Sequence, residues 1–321
     1  MNKIKALDLF AGTGWGVACQ RLGIDEMGVE IMPEAVATRE ANGMHTIYRD
    51  VWDGLTGPKL SYDLLIASPP CQTFSMAGNG AGRAALDEVI EAIEAGAYKD
   101  PQALRDFGDR HDPRTALVLT PLAHVWRDRP RLVVLEQVPT VLPAWHAYAD
   151  VMNDLGYSVT VGLLNAEQYG VPQTRKRAIL VARLDRIAEL PGPTHSRYYS
   201  SNPSKLDPGV KPWAGMADAL GRDGAAMLRS NYGTGGDPAK RGERTIDQPA
   251  PTLTSKADRN KWDGARNMTA DEAAALQSYP PGFIWTGKTF LQIGNAVPPL
   301  LAEAILATLT YSPILALPDA A

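Results

Sequence analysis

Three features of the chain predict an α/β fold with a doubly wound, mostly parallel sheet. Short apolar runs alternate with helix-like segments over the first 185 residues or so. A glycine-rich turn follows the first of these runs. Polar and reactive side chains collect where the runs end, which is where open α/β sheets place their chemistry.

Residues 6–10 form the first expected strand, and Gly12-Thr13-Gly14-Trp15-Gly16 turns it into a helix over 16–22. Strands at 27–30 and 46–48 follow, separated by a helix over 33–42 that opens on Pro33. The apolar run 62–67 is a buried strand, and Pro69 and Pro70 fix the direction in which the chain leaves it. Helices over 115–126 and 144–155 flank a strand at 132–136, and strands at 158–164 and 178–184 complete the pattern. Between Phe74 and Asp112 there is little strand character. Gly78, Gly80 and Gly82 precede acidic, Ala-rich residues, so this segment is expected to be a mobile active-site loop.

Composition changes after about Ile187. Residues 191–265 are rich in Pro, Gly, Ser and Asp and read as a smaller, loop-rich domain. A helix pattern returns at 271–278, and an apolar helix over 300–309 is expected to pack back on the first domain. The expected division is 1–187, completed by 288–321, with 188–287 as the second unit.

The 321 residues are 45% hydrophobic and 21% charged, which suits a sizeable core. No apolar run is expected to reach the roughly 18–20 residues needed to cross a membrane. The start runs directly into a core-like strand, so no cleaved signal is expected. Cys19 and Cys71 are too few for a disulfide scaffold, which suits a cytoplasmic setting. Net charge is −4, although 183–263 carries thirteen Lys/Arg against ten Asp/Glu. An acidic body can still hold a basic cleft.

The G-x-G-x-G turn departs from the dinucleotide fingerprint, because Val17 occupies the position of its last glycine. This favours a nucleoside ligand without a pyrophosphate. Glu30 ends the second strand, where an acid can hold ribose hydroxyls, and Asp50 follows the third as a partner for an adenine amine. Cys71 follows the Pro-Pro turn. An isolated cysteine there favours packing over nucleophilic chemistry, roughly two to one. Glu136 ends a second strand-then-turn unit and is a candidate acid whose pKa burial would raise. Gln173, Arg175 and Arg177 alternate at the start of another strand and should share one side.

Taken together, these segments resemble the ordered motif set of the DNA cytosine-5 methyltransferases, of bacterial or phage type. The set comprises Asp8-Leu9-Phe10-Ala11-Gly12, Pro70-Cys71-Gln72-Thr73-Phe74-Ser75, Glu136, the Q-x-R-x-R run Gln173 to Arg177, and Gly294-Asn295-Ala296-Val297-Pro298-Pro299. Arg244 to Thr252, and then Arg266, Thr269, Glu272 and Gln277, match the later motifs.

The resemblance implies a Rossmann-like S-adenosylmethionine-dependent methyltransferase sheet with a second, smaller loop-rich domain. It assigns catalysis to Cys71, Glu136, Arg175 and Arg177. In that mechanism the Cys71 thiolate attacks C6 of a flipped cytosine, and C5 then takes the methyl group. Glu136 holds the amine and N3 edge, Arg177 the ring carbonyl, and Arg175 braces the pocket. The cofactor site would comprise Phe10, Gly12, Gly14, Glu30, Asp50, Val51, Pro70 and Asn295, with S-adenosylhomocysteine as product and no metal. Gln72, Ser75, Arg241 and Arg244 would meet double-stranded DNA. A monomer is implied, with a cognate restriction enzyme or a phage context.

Two departures stand out. Gln137 replaces the usual asparagine, so an adjusted geometry is expected there. The segment from about Gly221 to Arg244 is short for target recognition, which implies a site of roughly two to four base pairs. The alternatives are an RNA (tRNA) cytosine-5 methyltransferase, a catalytically inactive DNA-binding homologue, and an NAD enzyme, the last disfavoured by Val17.

Overall fold

The computed structural model describes residues 3–70, 81–231 and 242–311, with only the backbone for 81–84. Its centre is a seven-stranded sheet: β1 (Lys5–Leu9), β2 (Asp25–Val29), β3 (His45–Tyr48), β4 (Leu64–Ala67), β5 (Leu132–Gln137), β6 (Ser158–Asn165) and β7 (Lys176–Arg183). Their order is β3-β2-β1-β4-β5-β7-β6, parallel except that β7 runs antiparallel to both neighbours. The strand order reverses between β1 and β4, so a crevice opens at their carboxyl ends.

Alternation along each strand builds two cores. Leu7, Leu9, Leu65, Ala67, Val133 and Leu135 face one side. There they meet α3 (Val51–Thr56), α4 (Ala81–Glu94), α5 (Pro101–Arg110), α7 (Thr120–Asp128) and α8 (Leu142–Asp154). Ala6, Leu64, Ile66, Leu132 and Val134 face the other side, packed on α1 (Gly14–Leu22) and α12 (Pro299–Tyr311). Each fully buried Val, Leu or Ile contributes about 1.5–3 kcal/mol, so this period-two pattern fixes the register.

Several expectations need correction. The part of 74–112 that is described is not a loop: α4 and α5 bury Val89, Ile93, Leu104 and Phe107 against the first core. The helix expected over 115–126 is two, α6 (Pro113–Leu117) and α7, because Pro121 lies in the first turn of α7. α3 was not expected at all; Asp50 caps it by accepting from Trp52 N–H at 3.0 Å.

The span Thr289–Tyr311 is apolar and long enough by composition to cross a membrane, contrary to expectation. Its two helices, α11 (Thr289–Asn295) and α12, instead bury Ile293, Leu301, Ile305 and Leu306 in the protein.

The loop-rich stretch contains a four-stranded antiparallel sheet of very short strands. They are β8 (Met227–Arg229), β9 (Glu243–Thr245), β10 (Lys261–Trp262) and β11 (Arg266–Asn267), in the order β11-β10-β8-β9. Leu228, Ile246 and Trp262 pack with Met216 of α9 (Met216–Leu220), Leu276 of α10 (Ala270–Leu276) and Ile293 of α11. Val17 and Met44 from the large sheet's side join the same cluster.

Candidate active site

A cavity of about 330 Å³ opens at the carboxyl ends of β1, β2, β4 and β5. Its first wall begins with the turn after β1. Phe10 has φ +58°, a left-handed conformation that costs a non-glycine residue on the order of 1–3 kcal/mol. Gly12 follows with φ +46°, and a Cβ built there would have nothing within 4 Å. Gly14 is needed for a different reason: its Cβ would lie 2.0 Å from the Val297 carbonyl oxygen. The turn is locked to its surroundings by Trp15 Nε1–H, which donates to Ser68 Oγ at 2.9 Å, and by Thr13 Oγ1 against the Tyr279 hydroxyl at 2.5 Å.

Glu30 enters this wall with both carboxylate oxygens in use. Oε2 accepts from Gly12 N–H at 2.9 Å and Oε1 from Met32 N–H at 2.8 Å. Each oxygen keeps a second lone pair. Asp50, Val51, Pro70 and Asn295 line the same cavity, as do Ile31, Met32 and Arg49. These last three escaped the reading of the sequence. The signal in the sequence was the apolar pair Ile31-Met32 directly after the acidic strand end, and Ile31 is 69% exposed.

The second wall carries Glu136, Gln137, Arg175 and Arg177. Arg177 Nε donates to Glu136 Oε1 at 2.9 Å, with the side chains only 12% and 8% exposed. Gln137 Nε2–H donates to the Pro69 carbonyl at 2.5 Å, while its Oε1 accepts from Val138 N–H at 2.5 Å. The longer amide therefore ties β5 to the Pro69-Pro70 turn. Arg175, expected to brace the pocket, lines the cavity and reaches two distant segments. Its two terminal nitrogens donate to the carbonyls of Leu253 and Gly294, both at 2.9 Å, so it joins the segment after β9 to α11.

Gln173 reaches Leu253 as Arg175 does, but it does not line the cavity. It forms a bridge to Ala250, and its amide pairs with Gln277 and accepts from Leu253 N–H at 2.8 Å. Gln277 in turn donates to the carbonyls of Ile293 and Ala296, at 3.0 and 2.7 Å, which shapes the turn carrying Asn295.

Cys71, Gln72, Ser75 and Arg241 lie outside the described residues. Arg244, an expected DNA contact, is half-buried. It donates to the Pro249 carbonyl at 2.9 Å and stacks 4.2 Å from the Tyr198 ring centre. A second, polar cavity of about 280 Å³ lies beside β8 and β10, lined by Arg229, Ser230, Asn231, Arg259, Lys261 and Asn267.

The donor set of the main cavity suits a nucleoside carrying a sulfonium. It offers acids for hydroxyls and an amine, apolar Phe10, Ile31 and Val51 for a ring, and open space over Gly12. Among the described residues no group of three or more His, Cys, Asp or Glu is arranged to hold a metal ion.

The chain is similar to other proteins over nearly its whole length. The Type II methyltransferase M1.HphI of Haemophilus parahaemolyticus is 29% identical over 341 residues, covering 93% of this chain and 84% of its own. M.HindV of Haemophilus influenzae is 29% identical over 336 residues, covering 94% and 95%. In three dimensions the chain resembles the Dnmt2 methyltransferase of S. pombe, with TM-score 0.62, 17% identity, and 96% and 98% of the two chains covered. The sequence profile described as C-5 cytosine-specific DNA methylase matches residues 4–207 and 218–310. With that match over most of its length, the chain belongs to the C-5 cytosine-specific DNA methylases, enzymes that methylate cytosine in DNA from S-adenosylmethionine.

Proposed function

We propose that Cys71, Glu136, Arg175 and Arg177 carry out methyl transfer to C5 of a cytosine turned out of duplex DNA. The observation that carries this reading is the Glu136–Arg177 pair. It lines the same cavity as Pro70, the residue before Cys71, and as the acids on the opposite wall.

S-adenosylmethionine, when bound, supplies an electrophilic methyl group. Phe10, Gly12, Gly14, Glu30, Asp50, Val51, Pro70 and Asn295 would hold it. Glu30 takes the ribose hydroxyls on its free lone pairs, and Asp50 takes the adenine amine. On the base side, the Cys71 thiolate bonds to C6 and C5 gains nucleophilic character. Glu136 accepts from the cytosine amine and protonated N3 edge, so charge developing in the ring is met by a group already in place. Arg177 orients Glu136 through Nε and directs its remaining donors at the ring carbonyl. Arg175 acts at one remove, by holding Leu253 and Gly294 in the cavity wall. Loss of the C5 proton and expulsion of Cys71 complete the reaction. Turning the base out costs a few kcal/mol, which contacts to the opened duplex must offset.

Gln72, Ser75 and Arg241 remain proposed DNA contacts. Arg229, Arg259 and Lys261 would join Arg244 in contacting phosphates, and Asn231 and Asn267 would read base edges. We further propose the domain division at about residue 187, with 188–287 as the target-recognition unit. The chain would act as a cytoplasmic monomer on a short site. The Type II naming of its relatives supports a restriction–modification setting.

Trapping on duplex DNA containing 5-fluorocytosine tests the mechanism, because fluorine blocks the last elimination. Wild type with S-adenosylmethionine should accumulate a covalent complex and Cys71→Ser none. Equal trapping by both, or none by wild type on any duplex, would overturn the assignment. Parallel assays on tRNA separate the RNA alternative.

A further inference from the structure

A buried ionic cluster lies directly beneath the glycine turn, and none of its members lines the cavity. Arg39, on α2 (Pro33–Ala41), is fully buried. Its Nη2 donates to both Glu26 carboxylate oxygens, at 2.7 and 2.9 Å, and to the His45 carbonyl at 2.9 Å. Nε donates to Thr46 Oγ1 at 3.1 Å. Nη1 donates to the Gly12 carbonyl at 3.0 Å. One planar guanidinium thus joins the turn after β1 to β2 and to β3. A lysine, with a single nitrogen, could not span these points together.

The neighbouring strand is shaped to admit this group. A Cβ on Gly28 would lie 2.1 Å from Arg39 Nη2 and 2.4 Å from Cζ, so only glycine leaves the guanidinium in place. Asp8 is also fully buried beside the pair, and burial together with the nearby Glu26 pushes its carboxyl well above the usual range. Burial thus works against an Asp8 anion that would compete for Arg39.

The consequence reaches the cavity through one residue. Gly12 is held at both polar atoms, its carbonyl by Arg39 and its N–H by Glu30 Oε2. We infer that Arg39 is a positioning residue for the methyl-donor pocket, fixing Gly12 and, through the Gly12 N–H, the orientation of the Glu30 carboxylate. This rests on the assignment of that cavity to S-adenosylmethionine.

Three variants of the full chain test the inference. Gly28→Ala keeps every charge but displaces the guanidinium. Arg39→Lys keeps the charge but loses the fork. Glu26→Leu/Arg39→Met removes both partners and leaves no unpaired ion. The probe is S-adenosylhomocysteine, titrated calorimetrically without DNA, with thermal unfolding measured alongside. Binding should weaken on the order of tenfold in each variant, the usual scale for groups that orient a binding residue from behind. kcat at saturating donor and KM for DNA should stay within about twofold.

Wild-type affinity in folded Gly28→Ala and Arg39→Lys would overturn the role, as would loss of folding in all three variants, which would make Arg39 structural only. Failure of wild type to bind S-adenosylhomocysteine would instead overturn the cavity assignment, and this role with it.

Discussion

The two walls of the cavity hold their carboxylates by opposite means. On the donor wall, Glu30 is held by backbone N–H groups from Gly12 and Met32, and Asp50 by Trp52 N–H. On the base wall, Glu136 is held by the guanidinium of Arg177, and its neighbour Gln137 by a carbonyl 68 residues away. Backbone donors leave a carboxylate its full charge and spare lone pairs, which suits hydroxyl and amine recognition. A guanidinium fixes direction and supplies a second donor to the same substrate edge. On the proposed assignment, the difference suits the donor wall to binding and the base wall to stabilising developing charge.

That contrast can be broken or sharpened by substitution, taken here in falling order of expected effect. Glu136→Gln should lower kcat by about 10²–10³-fold, the scale for losing a group aimed at developing charge, with KM for S-adenosylmethionine little changed. A rise in that KM with normal kcat would erase the distinction between the walls. Glu30→Gln should do the reverse, raising KM for the donor about tenfold at nearly constant kcat in steady-state kinetics. Gln137→Asn is expected to be mild, within about threefold in kcat, since the Pro69 contact can be rebuilt by a small shift of the turn. A hundredfold loss would show instead that the longer amide positions the catalytic turn.

Glu272 carries the base-wall design to a place outside the cavity and adds a pH test. Burial alone would raise its carboxyl, but Arg266, Thr269 N–H and Arg222 outweigh this and hold it at about 2 against 4.5 when free. Its folded value lies below its unfolded value. Its stabilisation is therefore complete above about pH 4.5 and is lost as pH falls toward 2. Urea midpoints of wild type and Glu272→Gln should differ most at pH 6, approach one another below pH 4.5 and converge only at about pH 2. A constant gap would assign the effect to the capping box with Thr269 rather than to charge.

Much of the donor wall was legible because it is local. Phe10, Gly12 and Gly14 follow one strand, Glu30 ends the next and Asp50 follows the third, so period-two patterning alone places all of them at carboxyl ends. The base wall was legible only as residue types. Arg175 and Arg177 do line the cavity together, but their division of labour depends on Leu253 and Gly294 from distant segments. Gln173 stays out of the cavity lining because Ala250 and Gln277 claim it. The helices α4 and α5 were hidden by glycines and acids ahead of an amphipathic pattern that closes only on burial.

By itself, the sequence determined the sheet, its winding and the strand ends at which chemistry sits. Those follow from hydrophobic period and turn residues, which act over a few positions. It also determined the family, because the motifs recur in order along nearly the whole chain. Only the tertiary structure decided how each polar group is spent. It set Arg244 against Tyr198 and Pro249, set Gln137 against Pro69 and buried Arg39 under Gly12. A charged or amide side chain has several partners it could satisfy, and which one it reaches is settled by packing between segments far apart in sequence.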